Sequence, residues 1–255
     1  MHEVYYGKID IQKLDTFNYS DGISIPSSVI ELADAEVLHI VKVKRHSIDD
    51  IIDIVDGEGI RVTSRITSII PLDFEVLNVV HEVCEKYITV VIPLLKSDRM
   101  TQAVENAIEL GATNIIFWQA NRSIAKWTDE KSSQKSIEKM QNLIIKSSKQ
   151  SRRAHFPVIL GVFNSKKLFA YLDTFTNMRL VVLHEQATEH IANLSHKLSD
   201  FTILIVGPEG GITDVELLGF RKLQADICKI SSNVLRSATA ISAGLAVIYN
   251  LSKTD

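Results

Sequence analysis

Apolar, β-branched runs alternate with segments of helical periodicity from about residue 74 to the C-terminus, and this alternation constrains the fold most. Two of the runs, Arg179–His184 and Phe201–Val206, are apolar through their centres, which is typical of strands buried on both faces. Such strands, when they alternate with helices, form mostly parallel sheets covered by helices. The sequence therefore predicts an α/β domain.

The other elements of this domain follow from the same periodicity. Helix Met100–Leu110 is expected to end at Gly111, a favourable residue just past a helix C-terminus. The remaining predicted strands are Ile88–Pro93, Asn114–Trp118, Pro157–Val162 and Asp226–Ile230, and the remaining helices are Ser133–Gln150 and a segment near Lys166–Leu172.

The first 72 residues have a different pattern of short β segments. Ile60–Ile66 follows the turn Asp56-Gly57, and Asp-Gly between apolar runs predicts a hairpin with Asp50–Val55. Gly22–Ile25 is a further candidate strand, and Val37–Arg45 fits either a short helix or a strand. The sequence thus predicts a small β-barrel-like domain over residues 1–72 and an α/β domain over residues 73–255.

Charge is distributed unevenly along the chain, although the net charge is only −3. Residues 1–75 hold 14 acidic and 7 basic residues, whereas the stretch from Lys139 to Leu172 holds seven Lys or Arg and no acidic residue. Local charge decides where a phosphate backbone can dock. The two cysteines, Cys84 and Cys228, fit a reducing compartment and do not form a disulfide scaffold, and we expect both thiols to be inert.

Several function classes are disfavoured by what the sequence lacks. It has no metal-ligand spacing such as HExxH or CxxC, so we expect no catalytic metal. It has no signal-peptide pattern at its start and no apolar run long enough to span a membrane. We therefore expect a cytoplasmic protein.

The segment Phe201–Glu216 carries the most specific motif. A buried strand runs into Gly207-Pro208-Glu209-Gly210-Gly211, named the GPEGG loop below, and Thr213 and Glu216 have the spacing of a capping box that starts a helix. The glycines would let a ligand lie against bare main chain at the carboxyl end of a strand, where open α/β sheets bind ligands. A plain strand–turn–helix connection is the alternative.

A second segment, Ile230–Ala240, opens a helix rich in small residues. Arg236 lies just before the helix start at Ser237, where the helix dipole disfavours a cation. A phosphate or carboxylate partner would explain this arginine, and an ordinary surface arginine is the alternative. Glu209 could bond to amides of its own loop or meet Arg236.

These two segments together resemble the RsmE family of the SPOUT superfamily of knotted methyltransferases. The similarity includes GPEGG and, about twenty residues later, Leu235-Arg236 with Thr239-Ala240. Further matches along the chain are Glu109-Leu110-Gly111, Asn121-Arg122-Ser123, Gln150-Ser151, Arg153, Pro157, His39 and Arg45. The chain departs from the usual family residues at four positions: Ala238 stands for Glu, Ser231 for Gly, Asn106 for Lys and Arg152 for Gly.

The resemblance implies a fold, a reaction and partners. The fold would be a SPOUT-type trefoil-knotted parallel sheet with a small N-terminal PUA-like β-barrel domain, assembled as a homodimer. The reaction would be S-adenosylmethionine-dependent methylation of N3 of a uridine in 16S ribosomal RNA of the small ribosomal subunit. The cofactor-binding residues would be Leu183, His184, Glu185, Gly207, Pro208, Glu209, Gly210, Gly211, Ile212, Ile230, Ser231, Leu235, Arg236 and Ala238.

Roles for basic residues complete the hypothesis. Arg236 is our candidate catalytic residue, because a cation near O2 or O4 would stabilise the anion that forms when uridine loses its N3 proton. The candidate RNA-binding residues are His39, Arg45, Lys96, Arg99, Arg122, Lys126, Lys146, Lys149, Arg152 and Arg153, with His155 beside them and Trp127 as a stacking surface. The helical spacing of Lys146, Lys149, Arg152 and Arg153 predicts a mostly one-sided basic face, and an ordinary solvated surface is the alternative. A non-catalytic RNA-binding module, or a related enzyme for transfer RNA or a ribose hydroxyl, is the alternative.

Overall fold

The computed structural model describes residues 2–10, 12, 29–84, 86–127, 130–194 and 201–251. The chain divides into two compact units, one formed by Met1–Cys84 with Ser148–Phe156, and the other by Glu85–Ser147 with Pro157–Asp255. The candidate strand Gly22–Ile25 lies outside the described residues.

The first unit is built on a five-stranded mixed sheet with strand order β2-β1-β3-β4-β5. Its strands are Glu3–Ile9 (β1), Ile30–Leu32 (β2), Ile51–Val55 (β3), Ile60–Ile69 (β4) and Leu72–His81 (β5). Strands β3 and β4 pair antiparallel across the Asp56–Gly59 turn, which confirms the predicted hairpin. Gly57 and Gly59 have φ values of +82° and +118°, which explains why the turn uses glycine.

Two features of this unit were not resolved by the sequence pattern. The segment that fits either a helix or a strand is helical: Asp34–Leu38 (α1) continues into a π-helical turn, His39–Val43. Residues 148–156 also belong to this unit, since Gly59 donates to the Ala154 carbonyl at 3.2 Å and Phe156 donates to the Gly57 carbonyl at 2.8 Å. Ordinary periodicity does not report such long-range backbone pairing.

The second unit contains a six-stranded sheet in which all neighbouring strands are parallel, with order β11-β9-β10-β6-β7-β8. Its strands are Tyr87–Pro93 (β6), Asn114–Gln119 (β7), Val158–Asn164 (β8), Arg179–Leu183 (β9), Phe201–Val206 (β10) and Asp226–Cys228 (β11). The helices are Ser97–Glu109 (α2), Glu130–Gln150 (α3), Ser165–Leu172 (α4), Asp214–Lys222 (α5) and Ser237–Leu251 (α6). The predicted parallel α/β architecture is confirmed.

The core of this unit explains the apolar strands. Ile203 and Ile205 of β10, Val91 of β6 and Val182 of β9 are completely buried in one cluster. Trp118 at the end of β7 is fully buried there, and its ring meets Phe220 edge-to-face at 5.7 Å. Because β9, β10 and β11 are neighbours and run parallel, the loops that follow them emerge at the same edge of the sheet.

Candidate active site

Three loops at the carboxyl ends of β9, β10 and β11 enclose a cavity of about 430 Å³. They are the segment after Leu183, the GPEGG loop with Ile212, and the segment from Lys229 to Ser237. The cavity is lined by the predicted cofactor-binding residues Leu183, His184, Glu185, Gly207, Pro208, Glu209, Gly210, Gly211, Ile212, Ile230, Ser231, Leu235 and Arg236. The sheet therefore brings together residues that are distant from one another in the chain.

Steric constraints explain why glycine occurs at three positions of the GPEGG loop. A Cβ on Gly207 would lie 2.7 Å from Cγ1 of the buried Ile212, and Gly211 has a φ of +76°. A Cβ on Gly210 would lie 3.0 Å from both Cβ and the carbonyl oxygen of Arg122. The loop can thus expose bare main chain to the cavity only with glycine at these positions.

The loop before α6 is held against the GPEGG loop by a hydrogen bond. Ser237 donates its hydroxyl to the Gly207 carbonyl at 2.8 Å, and both residues line the cavity. Arg236, one residue earlier, is exposed and lines the same cavity. Its guanidinium is therefore placed at the mouth of the cavity.

Arg122, in the segment that follows β7, also contributes to the lining, although the sequence prediction assigned it only to RNA binding. Arg122 lines the cavity and donates from Nη1 to the Gly210 carbonyl at 3.3 Å. Asn233, Val234 and Ser237 also line the cavity, as expected of a binding loop over Ile230–Ala238, and Lys229 and Ala240 line it without having been predicted to do so. Their side chains have no distinctive motif, so only the folded loops identify them.

Glu216 is a buried carboxylate that joins these walls. Its Oε1 accepts from the backbone amide of Asn121 at 2.8 Å and from the Ser165 hydroxyl at 2.6 Å. Its Oε2 accepts from the amide and hydroxyl of Thr213 at 2.9 and 2.7 Å, which completes the predicted capping box. Burial raises the pKa of Glu216, but the hydrogen bonds from Ser165, Asn121 and Thr213 outweigh it, so the pKa lies below its ordinary value.

Glu209 has a partner that the sequence did not suggest. Its carboxylate pairs with the guanidinium of Arg99, at the start of α2, rather than with Arg236 or with amides of its own loop. Arg99 lines the cavity and was predicted to bind RNA. Lys96, the exposed residue just before α2, is at the carboxyl end of β6.

Ala238 is the one predicted cofactor-binding residue that does not line the main cavity. It is buried at the start of α6 and lines a smaller adjoining cleft with Arg99, Glu209 and Arg236. In the same helix the Ser242 hydroxyl donates to the Ala238 carbonyl at 3.0 Å and accepts from the side-chain amide of Asn106 at 2.8 Å. Asn106 and Ala238, where the resembled family has Lys and Glu, are thus linked through one hydroxyl.

The basic stretch near the end of α3 does not form one exposed face, which corrects the prediction from helical spacing. Lys149 forms an ion pair with Glu36, and their side chains are only 16% and 13% exposed. Arg153 is half-buried, and burial lowers its pKa. His155 bonds to the Glu82 carbonyl at 2.6 Å, and Lys146 and Arg152 are exposed.

Other predicted RNA-binding residues lie on surfaces of their own unit. Lys126 is exposed. The neighbouring Trp127 is half-buried and packs on Phe117 with ring centroids 5.3 Å apart, so part of its ring is already covered. In the first unit Arg45 is exposed, with a φ of +55°. His39 is half-buried and meets the Tyr5 ring edge-to-face at 6.0 Å.

Three observations concern metals, membranes and thiols in the described part of the chain. That part contains no group of three or more His, Cys, Asp or Glu that could hold a metal ion. None of its helices is long and apolar enough to cross a membrane. Burial raises the pKa of the Cys228 thiol to about 12, so this cysteine is a weak nucleophile at neutral pH.

The lining combines the glycine-rich main chain of the GPEGG loop with apolar side chains and charged side chains of both signs. The walls offer amides and carbonyls from three loops, apolar contacts from Leu183, Ile212 and Leu235, and the carboxylate of Glu185. Arginines at the mouth could meet an anionic second substrate. The cavity and the arginines beside it could thus accommodate two different substrates.

Comparison with known proteins identifies the class. Residues 83–249 match the RNA methyltransferase domain family, and residues 32–77 match the RNA methyltransferase PUA domain family. The chain belongs to the RNA methyltransferase family, as the sequence motifs indicated.

Individual relatives of the chain carry names consistent with this family. The chain is 34% identical over 163 residues to ribosomal RNA small subunit methyltransferase E of Mycobacterium bovis, a match that spans 63% of this chain and 62% of that protein. It is 29% identical to the protein of the same name from Rickettsia conorii over 87% of this chain and 90% of that protein. The Neisseria gonorrhoeae protein of this name was crystallised with S-adenosyl methionine, and its structure superposes on this chain with a TM-score of 0.80 at 23% identity. The superposition covers 99% of this chain and 98% of that protein, so the two share the fold.

Proposed function

We propose that this protein transfers a methyl group from S-adenosylmethionine to N3 of a uridine in 16S ribosomal RNA. The observation that carries the proposal is the cavity at the carboxyl ends of β9, β10 and β11, walled by bare main chain and with Arg236 at its mouth. The family membership and the relatives named for ribosomal RNA methylation support the same reaction.

The cavity residues fit S-adenosylmethionine. Gly207, Gly210 and Gly211 keep the loop free of side chains, and Leu183, Ile212 and Leu235 offer apolar surface for a purine. The carboxylate of Glu185 can face positive charge or a ribose hydroxyl. When bound, the cofactor supplies an electrophilic methyl group, and neither a metal nor a covalent enzyme intermediate is needed.

The chain's own task is to position the acceptor base and favour loss of its proton. Uridine N3 lies on the Watson–Crick edge, so the base must be unpaired or flipped out to reach the cavity. The N3 proton passes to solvent water, and the guanidinium of Arg236 stabilises the negative charge that develops on O2 or O4 as it leaves. The remaining rate enhancement comes from holding the acceptor base in line with the methyl donor, which raises the effective concentration of the two reactants.

RNA binding is assigned to exposed basic residues of both units. In the α/β unit these are Lys96, Arg122, Lys126, Lys146 and Arg236, with Arg99 partly neutralised by Glu209. In the PUA-like unit Arg45 and Arg152 are exposed. If these residues contact phosphates, the affinity for RNA falls steeply as salt rises, and a flat salt dependence would contradict the assignment.

The same proposal includes assembly and organisation. The C-terminal part of the α/β domain forms the trefoil knot, and the protein acts as a cytoplasmic homodimer. Exposed apolar side chains of the α/β unit, among them Val215 and Val234 at 73% and 80% exposure, support a partner surface there.

One experiment tests the reaction directly. The purified protein is incubated with S-adenosylmethionine and small ribosomal subunits from a strain that lacks this modification, and the digested RNA is analysed by mass spectrometry. N3-methyluridine at one site is expected. Methylation of another atom or of transfer RNA would replace the substrate, and cofactor binding without methylation of any RNA would contradict the reaction.

A further inference from the structure

Glu216 has more partners than a helix cap needs. The capping box requires only the exchange of hydrogen bonds between Glu216 and Thr213 at the start of α5. Its other oxygen lies outside that exchange and accepts from the Asn121 amide and the Ser165 hydroxyl, which follow β7 and β8. The carboxylate is fully buried, and all four of these donors are neutral groups.

The network continues on both sides of the carboxylate. Ser165 accepts from the indole of the buried Trp118 at 3.2 Å, which fixes the hydroxyl that donates to Glu216. The Asn121 side chain reaches the Thr213 hydroxyl at 3.4 Å. One carboxylate therefore joins segments that follow β7, β8 and β10 and are distant from one another in the chain.

The residue after Asn121 is the one that enters the cavity. Arg122 donates to the Gly210 carbonyl, and its own Cβ and carbonyl would lie only 3.0 Å from a Cβ on Gly210. Because Arg122 directly follows Asn121 and contacts Gly210, we expect a displacement of Asn121 to alter this contact with the GPEGG loop. Fully satisfied buried networks of this kind fix a single geometry.

We propose that Glu216 is a positioning residue that holds residues 120–123 against the GPEGG loop and so sets the place of Arg122 at the cavity. This role rests on the proposed function and extends it to a residue that touches neither substrate. It predicts that Glu216 acts on the reaction through Arg122.

The test is a double-mutant cycle between Glu216→Gln and Arg122→Ala, with methylation kcat/KM and the cofactor Kd as readouts. The amide introduced by Glu216→Gln keeps one acceptor oxygen but cannot accept at both positions. Each single variant is expected to lower kcat/KM by about tenfold or more, and the double variant is expected to lose no more than Arg122→Ala alone. Independent, multiplicative losses would overturn the proposal.

Hydrogen exchange separates this role from helix capping and does not depend on activity. Glu216→Gln should speed amide exchange in residues 120–123 and in the GPEGG loop. The matched control is Glu138→Gln, the same change at an exposed carboxylate of α3 that accepts from Gln134, and it should leave both loops unchanged. Exchange altered only at the start of α5 would also overturn the proposal. A wild-type protein that neither binds the cofactor nor methylates RNA would contradict the proposed function instead.

Discussion

Replacing Arg236 by alanine tests the proposed chemistry most directly. The side chain is exposed at the cavity mouth, and its backbone carbonyl accepts from Ala240 as α6 begins. Truncation leaves the support of the loop in place, because the Ser237–Gly207 hydrogen bond remains. The fold and cofactor binding should therefore be preserved.

The expected loss lies in turnover. Removing one charged donor that stabilises a developing anion costs about 100-fold or more in kcat, equivalent to about 2.7 kcal/mol. Cofactor affinity should change by less than about threefold, because the bare main chain of the GPEGG loop forms most of the opposite wall. Arg236→Lys retains the charge but not the planar fork, so it should recover part of the rate.

Single-turnover methylation measured at saturating cofactor, with calorimetry for cofactor binding, provides both quantities. Arg221→Ala, which removes an exposed arginine of α5 that does not line the cavity, is the matched control and should keep full activity. An Arg236→Ala variant with unchanged kcat would refute the catalytic role. A variant with equal losses in kcat and cofactor affinity would make Arg236 a binding residue.

Three further predictions follow from buried contacts. Gly207→Ala should weaken cofactor binding about tenfold, because its Cβ would meet Ile212 at 2.7 Å, and calorimetry measures the change. Lys149→Ala should lower the free energy of unfolding by about 3 kcal/mol in urea titrations, because it leaves the shielded Glu36 carboxylate unpaired; the exposed Lys146→Ala should cost less than about 0.5 kcal/mol, and equal losses would contradict this view. Because the pKa of Glu216 is lowered in the folded protein, the stabilisation that its carboxylate provides is complete above the ordinary pKa of 4.5 and is lost as the pH falls through the lowered pKa. The difference in free energy of unfolding between wild type and Glu216→Gln should therefore shrink on acidification below about pH 4.5. A difference that stays constant with pH would contradict this prediction.

Local sequence determined the secondary-structure elements and the turn that joins β3 and β4. The apolar centres of β9 and β10, the Thr213–Glu216 capping box and the Asp56-Gly57 hairpin depend on neighbours in the chain, so their patterns predict them. The glycines of the GPEGG loop are likewise visible in the sequence, since a loop that exposes main chain tolerates no Cβ where other atoms already lie. These features were enough to indicate the family and most of the cavity lining.

Tertiary structure alone decided the partners of charged and polar groups. Periodicity placed Lys149 on a basic face, but a carboxylate from residue 36 approaches it, and spacing along one helix carries no information about that approach. Glu209 likewise meets Arg99 from α2, and Glu216 binds donors that follow two other strands. For Glu209 and Glu216 the physical reason is the strand order: parallel strands that are distant in sequence bring their carboxyl ends to one edge, and only there do the partners become neighbours.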